Sequence, residues 1–425
     1  MDIWAMTSAD AFDHDDAALL NARRCRFCRS ELKHVFADLG VTPLANRNLF
    51  REELADENKF PLVTRVCSSC FLVQVDHLIS PHELFSEYDY YSSYSDSWVE
   101  HAKRYCDLMR DRFSIDSKSF VVEVASNDGY LLQHFKNVEV LGIEPAANIA
   151  KAAIAKGIPT NIEFFGIDAA KRIVANRRQA DLIIANNVLA HAPDIRDFMG
   201  GIATLLSSNG TVTFEFPHLL RLIEGGLFDT IYHEHFFYLS LMTVERVLQS
   251  VGMRVFDVEE LATQGGSLRI FACHLGAFNS LTPRVEDVRR NERRWLLDRI
   301  EGYQDFNVRI ADIRTQFLEY LAAAEASGRK VAAYGAAAKG NTFMNVCGVK
   351  FPQIIAVFDR SPAKQGKFTP GSHIPILAPE QLWELKPDDV VILPWNISDE
   401  IVSSISFIKE WGGRFVVAVP NLKIL

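Results

Sequence analysis

The stretch FVVEVASNDGYLLQHF, Phe120 to Phe135, decides the fold. Its opening residues are almost continuously apolar, the mark of a strand buried on both faces. Turn residues follow, and YLLQHF then starts a helical pattern. The unit repeats at once: VEVLGIEP is a second strand ending near Glu144, and AANIAKAAIAKG is a helix stopped by a glycine. ADLIIANN and GTVTFEF are further buried strands. Such alternation predicts an α/β domain, a doubly wound sheet with helices on both faces.

In sheets of this kind the ligand sits beyond the carboxyl ends of the strands, at the loop after the first one. That loop, Glu123 to Gly129, lacks G-x-G-x-x-G and carries Asp128 at the head of its helix. A pyrophosphate there would meet a carboxylate, whereas a ligand with an ammonium group would be attracted. Glu144 lies 21 residues after Glu123, where an acid can accept hydrogen bonds from ribose hydroxyls. A nucleoside with a cationic tail and no phosphate describes S-adenosylmethionine. Taken singly, Asp128 is equally a helix cap and Glu144 a solvated strand end.

Toward the carboxyl end, Pro283 to Gly328 reads as a connecting helix or helical pair. The strand–helix alternation then resumes in KVAAYGA, IIAVFDRSP, DVVILPW and RFVVAVP. The first loop of this second α/β unit, Tyr334 to Asn341, has two glycines, Lys339 and no acid, and so suits phosphate at a helix N-terminus. Asp359 is in reach of a ribose. Ala336 and Ala337 fill positions where glycine normally admits the pyrophosphate of NAD, which leaves another phosphorylated ligand such as a nucleotide sugar, or a domain with no ligand.

Toward the amino end, CRFC and CSSC place Cys25, Cys28, Cys67 and Cys70 as two C-x-x-C knuckles. Four thiolates complete a tetrahedral zinc shell with no open position, hence a structural site in a zinc-ribbon-like domain. Buried or redox-active cysteines are the alternative. The chain has 425 residues, room for two or three domains, and a net charge of −9, a poor balance for nucleic acid or anionic membrane. The acidic start, MDIWAMTSADAFDHDD, lacks the pattern of a signal peptide, so a cytoplasmic setting is expected.

Three strings remain. YHEHFFYLS, Tyr232 to Ser240, brackets one glutamate with two histidines among aromatics. In a strand, His233 and His235 share a face and Glu234 points away, so a three-ligand metal site is disfavoured and the H-E-x-x-H spacing is absent. Proton transfer and plain packing stay open. ANNVLAHAPD, Asn186 onward, sets Asn187 and His191 at the rim of the sheet, and EYDYYSSYS, Glu87 to Ser95, is a hydroxyl-rich lid or an ordinary loop.

The order of these blocks, together with DLGVTPLAN, LGIEP, YGAAAKGNTFMN, FDRSPAKQGKFTPGSHIPI and LPWN, resembles the S-adenosylmethionine-dependent C-methyltransferases that act on nucleotide-linked 4-keto deoxysugars. The resemblance implies a zinc domain over 1–80, a class I methyltransferase domain over 81–282, and a helical connection with a second α/β domain over 283–425 that shares the nucleotide-sugar site. It implies proton removal beside the sugar ketone and attack of the enolate on the sulfonium methyl. His235 is then the base, with Tyr232, Glu234, His191 and Tyr90 in the same pocket. The adenosyl ligand falls to Glu123, Ala125, Asn127, Asp128, Gly129, Glu144 and Asn187. The nucleotide phosphates fall to Gly335, Ala336, Ala338, Lys339 and Asn341. Ala125 stands where that loop usually has glycine. Transfer to oxygen or nitrogen, or a non-catalytic zinc-ribbon binding protein, are the competing expectations; the oligomeric state, monomer or dimer, stays open.

Overall fold

A computed structural model describes residues 23–76, 79, 91–94 and 96–425. Three sheets organise them. The strands of the first are β1 (His34–Thr42), β2 (Phe60–Val66) and β3 (Val73–Val75). The middle segment supplies β4 (Phe120–Val124), β5 (Glu139–Ile143), β6 (Thr160–Asn161), β7 (Ala180–Asn186), β8 (Leu206–Pro217), β9 (Phe237–Tyr238), β10 (Met253–Leu261) and β11 (Ser267–His274). The last segment supplies β12 (Val331–Tyr334), β13 (Val357–Phe358), β14 (Ile376–Leu377), β15 (Asp389–Ile392), β16 (Arg414–Val417) and β17 (Lys423–Ile424).

The middle sheet runs β10-β11-β8-β7-β4-β5-β6. All neighbours from β8 to β6 are parallel, and β11 is antiparallel to both of its partners. Every residue of β4 is buried, as its apolar run foretold, and this includes Glu123. Strand order reverses between β4 and β7, so their carboxyl ends open a crevice. Local chemistry sets the helices around it. Asp194 caps the helix Ile195–Leu205 by accepting from the Arg196 and Asp197 amides, and Ser240 caps Leu241–Ser250 through the Thr243 amide.

The last sheet, β14-β13-β12-β15-β16-β17, is parallel except for β17, with its own reversal between β12 and β15. The polar connection forms two helices, Pro283–Arg294 and Phe306–Ala326.

The first sheet holds a departure from sequence expectation. Its order is β1-β2-β3-β9, so a strand from the methyltransferase segment completes the amino-terminal sheet. The small domain is further fastened by Phe36, which stacks on Phe306 at 4.5 Å, and by the Asn307 amide, which donates to the Phe36 carbonyl at 3.0 Å. Among the described residues, no helix is long and apolar enough to cross a membrane.

Candidate active site

The cofactor crevice begins where β4 ends. Ala125, Asn127 and Gly129 all take positive φ, +56°, +49° and +77°, so the chain coils tightly, with the Ser126 and Gly129 amides bonded to the Ile143 and Ser126 carbonyls. Each Glu144 oxygen accepts one backbone N–H, from Asn127 at 3.0 Å and Ala146 at 2.9 Å, and retains a lone pair for a ligand hydroxyl. Glu123, buried and close to Glu144 and Asp128, has its carboxyl pushed well above the usual range, by burial first and by these two acids next. The buried atoms Glu123 Oε2, Ser126 Oγ, Asp128 Oδ1, Asn186 Oδ1 and Asn187 Nδ2 have no hydrogen-bond partner among the described residues. Buried polar atoms are normally paired. Five unpaired ones, with three crowded carboxylates, fit a polar cationic ligand; S-adenosylmethionine satisfies both demands.

The expected lid touches this loop. The Ser92 amide donates to Asn127 Oδ1 at 2.9 Å, the Ser93 hydroxyl bonds Asp128, and Lys156 reaches the same carboxylate at 2.9 Å. Tyr90 lies outside the described residues.

The histidine half of the string, Tyr232 to His235, is not a strand; β9 begins only at Phe237. The His235 amide donates to the Tyr232 carbonyl at 3.0 Å, closing a turn. The turn brings the Tyr232 hydroxyl to 2.8 Å from His235 Nε2. His235 Nδ1 faces the Thr230 carbonyl at 2.9 Å, and His191 Nδ1 faces the Glu234 carbonyl at 2.8 Å. A carbonyl can only accept, so both Nδ1 atoms carry the proton and His235 Nε2 accepts from Tyr232. The two imidazoles meet edge to face at 4.8 Å. Burial lowers His191 to about 4 and His235 well below its usual range, the latter helped by His191 and Lys339. Both rings are therefore neutral at neutral pH.

His233 takes the other side of the turn. It is buried against the Pro61 carbonyl at 3.3 Å and the Phe60 ring at 6.0 Å, whereas His235 and Tyr232 are half-buried. The shared face expected of a strand is thus replaced by opposite faces of a turn. Glu234 is buried too, accepts from Asn46 at 2.6 Å and is pushed up to about 7 by burial.

From the carboxyl-terminal domain, Lys339 enters at the start of the helix Ala338–Cys347, where the N–H groups of the first turn lack intrahelical acceptors. Its ammonium donates to Gln264 at 2.7 Å and Asn396 at 3.3 Å, and burial lowers it to about 8 against the attraction of Asp229. Asp229 in turn accepts from the Trp395 indole at 2.6 Å. The rest of that loop serves the protein. A Cβ on Gly335 would come within 2.4 Å of Pro394. The Ala336 amide donates to Asp359 at 2.8 Å and its carbonyl accepts from Lys364 at 2.9 Å. Asp359 also accepts from the Ser361 amide and, unlike Glu144, has an ammonium close by, Lys364 at 3.6 Å, so its charge is met within its own domain. Asn341 is buried, with its amide on the Ala45 carbonyl at 2.7 Å.

The four cysteines converge. Cys25, Cys28, Cys67 and Cys70 place all their sulfurs within 4.8 Å of one another. Both knuckles fold alike: the Arg29 amide returns to the Cys25 carbonyl and the Phe71 amide to the Cys67 carbonyl, each at 2.9 Å. The four-sulfur shell fits zinc. Asn46, Asp229, Gln264 and Trp395 were not singled out as site residues by sequence. Asn46 and Trp395 do fall within two of the quoted blocks, DLGVTPLAN and LPWN, which was the one available signal.

A seven-stranded sheet with a single reversed strand, and an acidic crevice after its first strand, define a class I S-adenosylmethionine-dependent methyltransferase. Family models match along the chain: "Putative zinc binding domain" over residues 25–85, "Methyltransferase domain" over 98–258 and "C-methyltransferase C-terminal domain" over 262–420. C-methyltransferase NovU of Streptomyces niveus is 34% identical over 404 residues, which span 94% of this chain and 96% of that protein. The chain belongs to this C-methyltransferase family. Among solved structures it is similar to magnesium protoporphyrin IX methyltransferase of Synechocystis PCC 6803 with bound S-adenosylmethionine, at 12% identity and TM-score 0.32 over 45% of this chain and 88% of that one. It is also similar to an S-adenosylmethionine-dependent methyltransferase of Clostridium acetobutylicum ATCC 824, at 8% identity and TM-score 0.34 over 42% and 92%.

Proposed function

We propose that the protein methylates the carbon beside the ketone of a nucleotide-linked 4-keto deoxysugar, in the cytoplasm. The observation that carries this is the Tyr232–His235 pair, a neutral imidazole and a phenol held together beside the cofactor crevice. Carbon methylation needs a base for a weakly acidic C–H and a donor for the oxygen that gains charge. When the Tyr232 hydroxyl turns to the sugar carbonyl, His235 Nε2 is freed to take the proton. The Nδ1–H bond to Thr230 keeps the ring oriented, and the carboxylate of Glu234, its neighbour in sequence, is assigned to offset the positive charge the imidazole acquires. Bound S-adenosylmethionine supplies an electrophilic methyl group to the enolate carbon. Lys339 and the free N–H groups of its helix hold the nucleotide phosphates.

The test is exchange of the proton beside the ketone into deuterated water, followed by magnetic resonance with S-adenosylhomocysteine present. The wild type exchanges it; His235→Asn does not, yet binds S-adenosylmethionine in calorimetry with unchanged affinity. Exchange at the wild-type rate in that variant removes His235 as the base. Methylation of a sugar with no ketone points instead to transfer onto oxygen.

A further inference from the structure

The four-cysteine shell and the histidine turn share a sheet. Cys67 follows β2 directly, and Cys70 stands just before β3. β3 pairs with β9 through Val73–Tyr238 and Gln74–Phe237, and β9 begins two residues after His235. Arg26, between the first two cysteines, donates to the carbonyls of Val75 and Phe236. A second route leaves the other edge of that sheet. β1 runs into the turn Pro43–Asn46, where the Asn46 amide meets Glu234 Oε2 at 2.6 Å and the Ala45 carbonyl receives Asn341.

Glu234 is only 3% exposed, and among the described residues Asn46 is the one side chain that hydrogen-bonds its carboxylate. A buried carboxylate is costly to leave unpaired, so one donor decides where it points. We infer that Asn46, carried by the zinc-bearing domain, is a positioning residue for methyl transfer: its side-chain amide holds the carboxylate of Glu234, the residue before His235. The cysteine shell thereby reaches the chemistry through two supports of one turn, β9 and Asn46. The inference rests on the part assigned to Glu234 above. The other ionisable groups at this turn are His233, His235 and Tyr232 on the turn itself, His191, bonded to the Glu234 carbonyl, and Lys339, whose charge acts on His235. His191 and His235 are neutral at neutral pH, and among the described residues the carboxylate's side-chain hydrogen bond comes from Asn46. Loss of that amide favours the protonated acid, so the carboxylate is lost at a higher pH than before.

The test compares kcat–pH profiles of zinc-loaded wild type, Asn46→Ala, Glu234→Gln and the double variant, with zinc content and S-adenosylmethionine affinity measured on each. Asn46→Ala is expected to keep zinc and cofactor affinity. Its kcat at neutral pH falls about tenfold and its acid limb moves about one unit higher. Added to Glu234→Gln, the same substitution changes kcat less than about twofold, because the partner is already gone. Equal losses in both backgrounds, or an unmoved acid limb, overturn the inference while leaving Glu234 in its role. Wild-type turnover in Glu234→Gln alone overturns that role, and the inference with it.

Discussion

The two α/β halves are built on one local plan and put it to different use. In each, an acid at the end of the second strand accepts the N–H of the first loop and that of the residue two positions on. Glu144 takes Asn127 and Ala146, and Asp359 takes Ala336 and Ser361. In the first half, the polar groups around that frame are left over, with five buried atoms unpaired among the described residues. In the second, Pro394 closes on Gly335 and Lys364 caps the Ala336 carbonyl, and the buried unpaired atoms, Asn341 Oδ1 and Thr342 Oγ1, lie further along the helix. A strand–loop–helix frame does not of itself make a ligand site; what matters is whether the protein consumes its own donors and acceptors. Lys339, one turn further along, reaches across to the first half, where it bonds Gln264.

Substitutions in matched positions can break this contrast. The largest effect is expected from Glu144→Ala, which should weaken S-adenosylmethionine about a hundredfold in calorimetry, since two loop amides and the ligand lose one acceptor. The matched Asp359→Ala should leave that affinity unchanged and lower stability to urea by about 2 kcal/mol. A cofactor loss in Asp359→Ala would show that the halves are not independent. Lys339→Met should raise KM for the nucleotide substrate about tenfold with little change in kcat. Burial lowers Lys339 to about 8, and its charge exists below that value. In the wild type, kcat/KM for the nucleotide substrate should therefore fall as pH rises through about 8, and Lys339→Met should lose that limb. The smallest effect is Ala125→Gly. Relief of the left-handed strain, less the added chain entropy, should raise stability by about 0.5 kcal/mol, read as a small upward shift in Tm.

Features that depend on near neighbours were legible in the sequence. The buried run of β4, the two C-x-x-C knuckles and the acidic first loop each announce themselves within a few residues. The turn at Tyr232–His235 did not. Its aromatic, alternating residues resemble a strand, and the bonds that decide otherwise run to Ala190, Thr230 and His191. The Asn46–Glu234 contact spans 188 positions, and no local pattern carries it. The loop at Gly335 misled for the same reason. Its glycines, Lys339 and lack of an acid suggested a phosphate, whereas the need for glycine at 335 comes from Pro394, from a later strand end, against which a Cβ would clash.

The pairing of β3 with β9 also bears on how the chain can be cut. Three family models tile it as if it were three modules, and a shortened chain starting after residue 85 looks reasonable on that basis. Such a truncation would strip β9 of its only strand partner among the described residues, remove Arg26 from the Phe237 ring and leave an open backbone edge. Edges of that kind recruit other chains. The excised methyltransferase domain is therefore expected to aggregate, and adding the amino-terminal fragment in trans is the natural way to rescue it.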